Sequence, residues 1–546
     1  MLALLCSAWL AVVPAQGAGA KDAPAPLNDR ERAVHLLNRL AFGPAPGEVE
    51  RVLAMGVDAW LDEQLTPAAA RDPRLLETLK GFETIDLSPA GASQWVYADY
   101  LGRGFNEDDL SEEERQQLRM RRRTPGMELI QAVILRATLS DRRAEEVLCD
   151  FWRNHFNVSF TKGDSIELQI NDYERMVIRR NVLGSFGEML AASARHAAML
   201  NYLDNAVSRR PPSKQELAEI ERNTKRRTGS RDRAQEEVQI AAERGLNENY
   251  ARELLELHTL GVDNGYDQDD VIALAQALTG WTYDGGRRGT HEFVFMPEMH
   301  VVGDKRLLGR RFQEDDEGGH GQGMEILAHL AEHRNTAKFI GMKLARYLVN
   351  DDSPPEVVDA AAKAFLKTDG NIPAVVRAIV ATDAFWAREN FEAKFKTPFE
   401  FVISAVRATG AEVVEARPLM ATLESMNQPT LFCDDPTGWY DTAEAWLDPG
   451  VLALRWQFAV DLAEGRIRGV KIPEGFWSRV PEDAQPETWQ HHLARIVLPE
   501  GAGERTRAAL ASVTSEYLAK KKVPDLRELG PQLVGLLLGS PEFQKQ

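Results

Sequence analysis

The densest mixture of carboxylates and aromatic rings in the chain lies in a loop at residues 428–441 and just beyond it. Asp441 supplies a carboxylate of the kind that acts as acid, base or nucleophile in glycoside cleavage. Trp439, Tyr440 and Trp446 supply flat rings of the kind that stack on sugar faces. The loop therefore indicates a carbohydrate site. The alternative is a structural loop whose tryptophans fill the core.

Two predicted helices each carry a histidine among apolar residues. At about 100° per residue, His155 falls in the apolar stripe of its helix. Asp150, Arg153 and Asn157 point away from that stripe. A histidine in this position is either a core residue bonded to a backbone carbonyl or a general base in a cleft. The pattern alone allows both.

The second helix covers residues 247–258 and aligns Asn247 with His258, while Glu253 belongs to a separate polar stripe. His300 lies in a loop that also contains Asp304 and Lys305, a composition typical of a catalytic loop and of a hydrogen-bonded hairpin end. The candidate acid and base groups are His155, His300, Asp441 and Glu253. The candidate substrate-binding residues are Trp439, Trp446, Tyr440 and Asn247.

A metal site is a further hypothesis, with His155, His258 and His300 as its ligands. No Glu-x-x-His pair of the di-metal type lies on the predicted helices. The chain also lacks HExxH, CxxC, GxSxG, a P-loop and GxGxxG, so zincin, α/β-hydrolase and nucleotide chemistry are unsupported. The cofactor therefore stays unknown, since no specific motif supports a divalent metal.

Composition narrows the class of protein. The 546 residues include 65 Lys and Arg against 83 Asp and Glu, a net charge of −18. Such a surface repels phosphate backbones and disfavours nucleic acid as a partner. The 44% apolar and 27% charged fractions are those of a folded globular chain.

The N-terminus resembles a cleaved export signal. An apolar run from Leu2 to Val13 is too short to span a bilayer and is followed by Ala18-Gly19-Ala20, which suits cleavage before Lys21. We therefore predict a signal peptide at 1–20, a periplasmic or extracellular location, and no transmembrane segment in the mature chain. Cys149 and Cys433 would remain, and their pairing is open.

The rest of the chain is predicted to be all-α, a large single helical body over residues 21–546 with loop insertions. There is room for one short β-hairpin within His291 to Phe312, where His291, Phe293 and Phe295 alternate with other residues. Thr124-Pro125 has the pattern of a helix start, and Asp267 that of another N-cap. Residues 208–245 form a charged insertion with ten basic and seven acidic residues. An acidic partner could dock there, although a solvated surface segment has the same composition.

Several stretches resemble the bacterial family called domain of unknown function 1800. They include HLLNRLAFGP at 35–44, FWRNHF at 151–156, NENYARELLELHTLGV at 247–262 and GWYDTAEAW at 438–446. The resemblance implies an exported helical protein and assigns no activity. Genes of the family often neighbour those of exported proteins similar to the alkaline phosphatase and sulfatase superfamily, which implies a co-exported partner of that kind.

Two functions of different classes follow, and whether the chain is an enzyme stays open. The first is an extracytoplasmic hydrolase or lyase that acts on polysaccharide or envelope glycan. The second is a non-catalytic scaffold or accessory protein that binds a co-exported phosphatase- or sulfatase-like partner. A shared cleft for the candidate residues would favour the first.

Overall fold

The computed structural model describes residues 25–68, 72–100, 107–243, 245–286, 289–315 and 318–546. The predicted signal peptide at 1–20 lies outside the described residues. The described residues form 25 α-helices and three short two-stranded ladders, which confirms the mainly helical prediction.

The helices of the first half, numbered in chain order, are α1 (Asp29–Leu40), α2 (Glu48–Met55), α3 (Val57–Leu65), α4 (Pro73–Lys80), α5 (Pro89–Tyr97), α6 (Glu112–Leu139), α7 (Arg143–His155), α8 (Asp164–Tyr173), α9 (Phe186–Arg195), α10 (Ala197–Tyr202), α11 (Lys214–Thr228), α12 (Arg231–Glu243), α13 (Asn249–Glu253) and α14 (Gln268–Ala277). Those of the second half are α15 (His320–Ala331), α16 (Arg334–Leu348), α17 (Pro355–Lys367), α18 (Ile372–Val380), α19 (Pro398–Ala408), α20 (Arg417–Ser425), α21 (Pro449–Ala463), α22 (Glu474–Trp477), α23 (Trp489–Val497), α24 (Glu504–Lys520) and α25 (Leu526–Leu538). Two π-helical turns, Glu174–Arg179 and Leu254–Thr259, continue α8 and α13.

Capping residues set many helix starts. Asp267 accepts from the backbone N–H of Asp270, as predicted, and begins α14. The predicted helix start at Thr124-Pro125 is wrong, because Ser111 forms a capping box with Glu114 and α6 runs through both residues. The Thr124 hydroxyl instead donates to the carbonyl of Met120, one turn earlier.

The strands form antiparallel pairs: β1 (Trp281–Tyr283) with β2 (Phe293–Phe295), β3 (Lys305–Leu307) with β4 (Arg310–Phe312), and β5 (Glu412–Val413) with β6 (Val470–Lys471). The predicted strand residues Phe293 and Phe295 therefore pair with an earlier segment, Trp281 facing Phe295. The charged insertion forms the two helices α11 and α12, joined at Gly229 with positive φ.

One apolar core connects distant parts of the chain, from Ala33 in α1 to Phe543 near the C-terminal end. A smaller cluster lies under α5, α6 and α8 around Val96 and Leu118. Cys149 and Cys433 are buried free thiols, so the pairing that the sequence left open is not formed. None of the helices in the described ranges is long and apolar enough to cross a membrane.

Candidate functional site

A cleft of about 150 Å³ lies between α7, α16 and residues 426–448, which we name the cleft loop. The start of α19 completes the wall through Thr397 and Phe399. Charged and aromatic side chains line it from every side. It brings together segments that lie about two hundred positions apart in the chain, since the Tyr347 hydroxyl meets Asp150 across 197 positions.

Helix α7 contributes its polar face. Asp150, Arg153, Asn154 and Asn157 all line the cleft. Helical spacing places Asp150, Arg153 and Asn157 away from the apolar stripe, and in the structure these polar residues meet other elements. The polar face of α7 is therefore the main source of functional groups at this site.

Asp150 is held between a hydroxyl and a guanidinium. Tyr347 donates its hydroxyl to Asp150 Oδ2 at 3.1 Å, and Arg153 lies 3.4 Å from Oδ1. Burial raises the pKa of Asp150 to about 6 against the opposing charge of Arg153, and the negative charge of Asp441 adds to the increase. A carboxyl in this state can hold or release a proton close to neutral pH.

Behind Asp150, a chain of buried ion pairs fixes Arg153. Its guanidinium makes two hydrogen bonds to Glu174, at 2.9 and 3.0 Å. Arg179 contacts Glu174 at 3.0 Å and Glu146 at 2.7 Å. Glu174 and Arg179 are the two ends of a π-helical turn, a local geometry that is often found at functional sites. The network keeps the Arg153 charge in place beside Asp150.

Helix α16 supplies two further cations, Lys343 and Arg346, beside Tyr347. Burial lowers the pKa of Lys343 to about 8; the charge of Asp441 opposes this, and that of Arg346 adds to it. The Nε atom of Arg346 is buried and has no hydrogen-bond partner. These side chains lie on one helical face at spacings of three and four residues, so all of them can point into the cleft.

The side-chain amides of Asn154, in α7, and Asn157, two residues beyond its end, hold the cleft loop in place. Asn154 donates to the carbonyl of Trp439 at 2.8 Å and accepts from its N–H at 2.7 Å. Asn157 donates to the carbonyls of Cys433 and Asp435 at 2.9 and 2.8 Å. Gly438 has φ of +80°, and a Cβ there would lie 2.4 Å from the carbonyl oxygen of Asn154. The loop therefore packs against α7 through a position that only glycine fits.

Asp441, predicted as an acid or base, lines the cleft. Lys394 donates to its carbonyl at 2.9 Å and lies 3.3 Å from Oδ1, and it also pairs with Asp351 at 2.9 Å. Burial and the nearby Glu400 raise the pKa of Asp441 to about 6 despite Lys394. The side chains of Asp150 and Asp441 are 27% and 23% exposed, so both carboxyls reach the cleft from a largely buried setting.

The predicted aromatic residues lie at the cleft with different exposures. Trp439 and Tyr440 line it, and Tyr440 is 64% exposed. Trp446 is buried behind Trp439, with the two ring centroids 6.1 Å apart, and donates its indole N–H to the Tyr440 carbonyl at 2.8 Å. Trp446 therefore supports the loop, and the other two rings are available for stacking.

His155 forms part of the floor of the cleft and is almost completely buried. Its Nε2 lies 3.2 Å from the carbonyl oxygen of His258, and its Nδ1 has no partner. Burial lowers its pKa well below the usual value, and the charge of Lys343 adds to this, so the ring stays neutral. The carbonyl contact is the one expected of a core histidine, while the unpartnered Nδ1 leaves one nitrogen free to accept a hydrogen bond.

Three predicted site residues do not line this cleft. Glu253 is half-buried on α13, where burial, Glu256 and Asp435 raise its pKa. His300 is buried in the strand region, with Nδ1 2.9 Å from the carbonyl of Thr279. Asn247 donates its side chain to the carbonyl of Asp204 and joins α12 to α13.

The three histidines predicted as metal ligands are not arranged around a common point. Within the described ranges, no three His, Cys, Asp or Glu side chains are grouped as around a metal ion. The rings of His155 and His258 are 6.0 Å apart, and His300 lies against Thr279 in the strand region. The three histidines therefore do not form a ligand set.

Sequence reasoning missed Asp150, Lys343, Arg346 and Tyr347. The last three share a spacing of i, i+3 and i+4 that predicts one polar helical face. A polar face of this kind usually points to solvent, so the spacing alone does not indicate a site. The polar faces of α7 and α16 line a cleft only because the two helices pack against each other.

The fold and the site define a large helical protein with a charged cleft. Comparison of its sequence with known protein families identifies the family. A family model described as "Protein of unknown function (DUF1800)" matches residues 35–545, nearly the whole chain. The chain therefore belongs to this family. No curated protein and no solved structure matches it.

Proposed function

We propose that the cleft is the active site of a hydrolase or lyase that acts on a polysaccharide or envelope glycan. The observation that carries the proposal is the pair Asp150 and Asp441, two carboxyls with raised pKa values in one cleft beside exposed Tyr440. Glycoside cleavage uses two carboxyl groups, one as proton donor and the other as base or nucleophile. Flat rings at the mouth would hold the sugar.

The two carboxyls act as a pair. Each has a pKa of about 6, and the charge of Asp441 raises that of Asp150. Near this pH the pair carries on average about one proton, so that one carboxyl donates to the glycosidic oxygen while the other is ionised. Tyr347 and Lys394 orient them by direct contacts.

The test is turnover on a panel of polysaccharides by the purified protein, Asp150→Asn and Asp441→Asn. We expect new reducing ends with at least one glycan and a loss of about 100-fold or more in each variant. The ultraviolet absorbance of an unsaturated product would identify elimination instead of hydrolysis.

Glu444→Gln is the matched control, since it removes one carboxylate from an exposed position of the same loop. It should keep wild-type turnover. Full turnover in both cleft variants would contradict the proposal, provided that the wild type is active. No turnover of any glycan by the wild type would also contradict it.

We propose in addition that the protein is exported, to the periplasm or beyond. Support comes from the apolar run Leu2 to Val13 and the small residues that follow it. Sequencing the N-terminus of the protein recovered outside the cytoplasm tests this, and we expect it to begin at Lys21. Recovery of the full-length chain from the cytoplasm alone would contradict export.

A second candidate is an accessory protein that binds a co-exported phosphatase- or sulfatase-like partner. The observation in its favour is the basic end of the α11–α12 pair, where Lys225, Arg226, Arg231 and Arg233 are exposed and form no ion pair among the described residues. An acidic surface on the partner would fit it.

Affinity capture with the full chain tests this candidate. Stoichiometric capture of such a partner, lost in Arg226→Glu with Arg231→Glu, would support it. Lys363→Glu with Lys367→Glu, exposed on α17, is the control of equal charge. Equal capture of the partner by both double variants would contradict docking at the basic end of the α11–α12 pair.

A further inference from the structure

The cations in and beside the cleft fall into two kinds. Arg153 is bound by Glu174, and Lys394 is bound by Asp351 and Asp441. Lys343 and Arg346 lie on the same wall and form no ion pair with any acidic side chain in the described part of the chain. The ammonium of Lys343 lies 5.7 Å from the ring centroid of Phe339.

Two neighbouring cations without acidic partners are unfavourable in a protected site. They stand one helical turn apart, and the charge of Arg346 disfavours that of Lys343. Burying a cation without a counter-ion costs free energy, and a bound anion would recover it. The buried Nε of Arg346 keeps an unused hydrogen-bond donor at this wall.

The overall charge of the protein would not attract an anion to Lys343 and Arg346. The net charge is −18, which repels polyanions at long range. An anion that reaches the cleft must therefore be recognised by local contacts. A guanidinium beside an ammonium suits a carboxylate or a sulfate ester, since both present two or more acceptor oxygens.

We propose that Lys343 and Arg346 bind an anionic group of the substrate, so that the glycan carries carboxylate or sulfate-ester groups. This inference rests on the proposed function and specifies its substrate class. The anionic sugar lies against α16, while the carboxyls of Asp150 and Asp441 face the bond to be cleaved. Tyr440 at the mouth would stack on the adjoining sugar.

Titration calorimetry with product analysis of the same samples tests the pair. The carboxylated probes are polygalacturonate, alginate and carboxymethyl dextran. Dextran sulfate and chondroitin sulfate carry sulfate esters, and dextran and a β-glucan are neutral. We expect the full chain to bind at least one acidic glycan about tenfold or more tightly than the neutral ones. The class that binds identifies the anionic group.

Lys343→Met and Arg346→Met should each weaken that binding by about tenfold or more. Lys338→Met is the matched control, because it removes the same charge from an exposed position of α16 and should change binding less than about twofold. Lys343→Arg should keep most of the affinity. Thermal melts check that each variant is folded, and Arg346→Met supplies the test if Lys343→Met is not folded.

Each outcome separates the two proposals. Equal losses in Lys338→Met and Lys343→Met, or no preference for acidic glycans, would overturn the anion site. Turnover of a neutral glycan that Lys343→Met and Arg346→Met both retain would overturn it while leaving the proposed function intact. Tight binding of an acidic glycan without any cleavage would support the anion site and overturn the proposed activity.

Discussion

Glu48 and Asp150 are both acidic residues set beside arginines in largely buried places, yet their pKa values move in opposite directions. At Glu48, burial would raise the pKa, but Arg407 and Arg143 outweigh it and lower the value to about 2. At Asp150, burial outweighs Arg153, and the value rises to about 6. The difference lies in how completely each carboxylate is paired.

Both oxygens of Glu48 have strong partners. Arg143 donates to Oε1 at 3.0 Å, Arg407 donates to Oε2 at 2.7 Å, and the N–H of Ala45 donates to Oε2 at 2.8 Å. These contacts join α2, α7 and α19. At the cleft, Arg153 is largely committed to Glu174. The fully paired cluster around Glu48 therefore stabilises the fold. The incompletely paired cluster around Asp150 is the one that we propose to be catalytic.

The largest effect should come from breaking the paired cluster. Glu48→Gln leaves Arg407 buried without a counter-ion, and we expect the free energy of unfolding to fall by about 3–5 kcal/mol. Urea denaturation at neutral pH measures this. A loss below about 1 kcal/mol would mean that the cluster does not stabilise the fold.

Acid should remove a similar stabilisation from the wild type. Because the pKa of Glu48 is lowered from 4.5 to about 2 on folding, its contribution is present above about pH 4.5 and is lost as the pH falls towards 2. The amount is about 3 kcal/mol. Denaturation at about pH 7 and about pH 3 should show the gap between wild type and Glu48→Gln closing in acid. A constant gap would contradict this assignment.

The next largest effect should come from weakening the contact between the cleft loop and α7. Gly438→Ala adds a Cβ that would lie 2.4 Å from the carbonyl oxygen of Asn154 at a φ of +80°. Gly465→Ala has a φ of +69° and meets nothing within 4 Å, so it isolates the backbone cost. We expect Gly438→Ala to lose about 2 kcal/mol more than this control, together with turnover. Equal losses would show that the loop does not pack as described.

The smallest effect should come from an exposed ion pair. Arg51 and Glu63 are 2.6 Å apart, with side chains 47% and 42% exposed. Water screens such a pair, so Arg51→Met should change the free energy of unfolding by less than about 1 kcal/mol. Thermal or urea denaturation measures it, and a loss as large as that of Glu48→Gln would remove the contrast between buried and exposed charges.

Much of the fold could be predicted from the sequence, because helix periodicity and capping residues are local signals. The N-cap at Asp267 and the burial of His155 on its apolar face are examples. One helix start was misplaced and one predicted strand has a different partner, because in both cases residues earlier in the chain decided the outcome. Thr124-Pro125 lies inside α6, and the strand at Phe293 pairs with Trp281–Tyr283.

The candidate site was predictable only where its residues share one segment. The cleft loop carries Asp441, Trp439 and Tyr440 together, so composition indicated it. Tyr347 meets Asp150, and Lys343 shares their cleft, only through the packing of two distant helices, for which the local pattern gives no signal. The π-helical turn that aligns Glu174 with Arg153 likewise has no local sequence signature.

The central claim is that the cleft keeps its charges incompletely paired at a cost in stability. Asp150→Asn tests it most directly, since the amide can still accept from Tyr347. The raised pKa means that wild-type stability falls as the pH rises from about 4 to 6. Urea denaturation at about pH 7.5 should therefore show the variant more stable than wild type by about 1 kcal/mol, an advantage that disappears near pH 4. A loss of stability at about pH 7.5 comparable to that of Glu48→Gln would contradict the account.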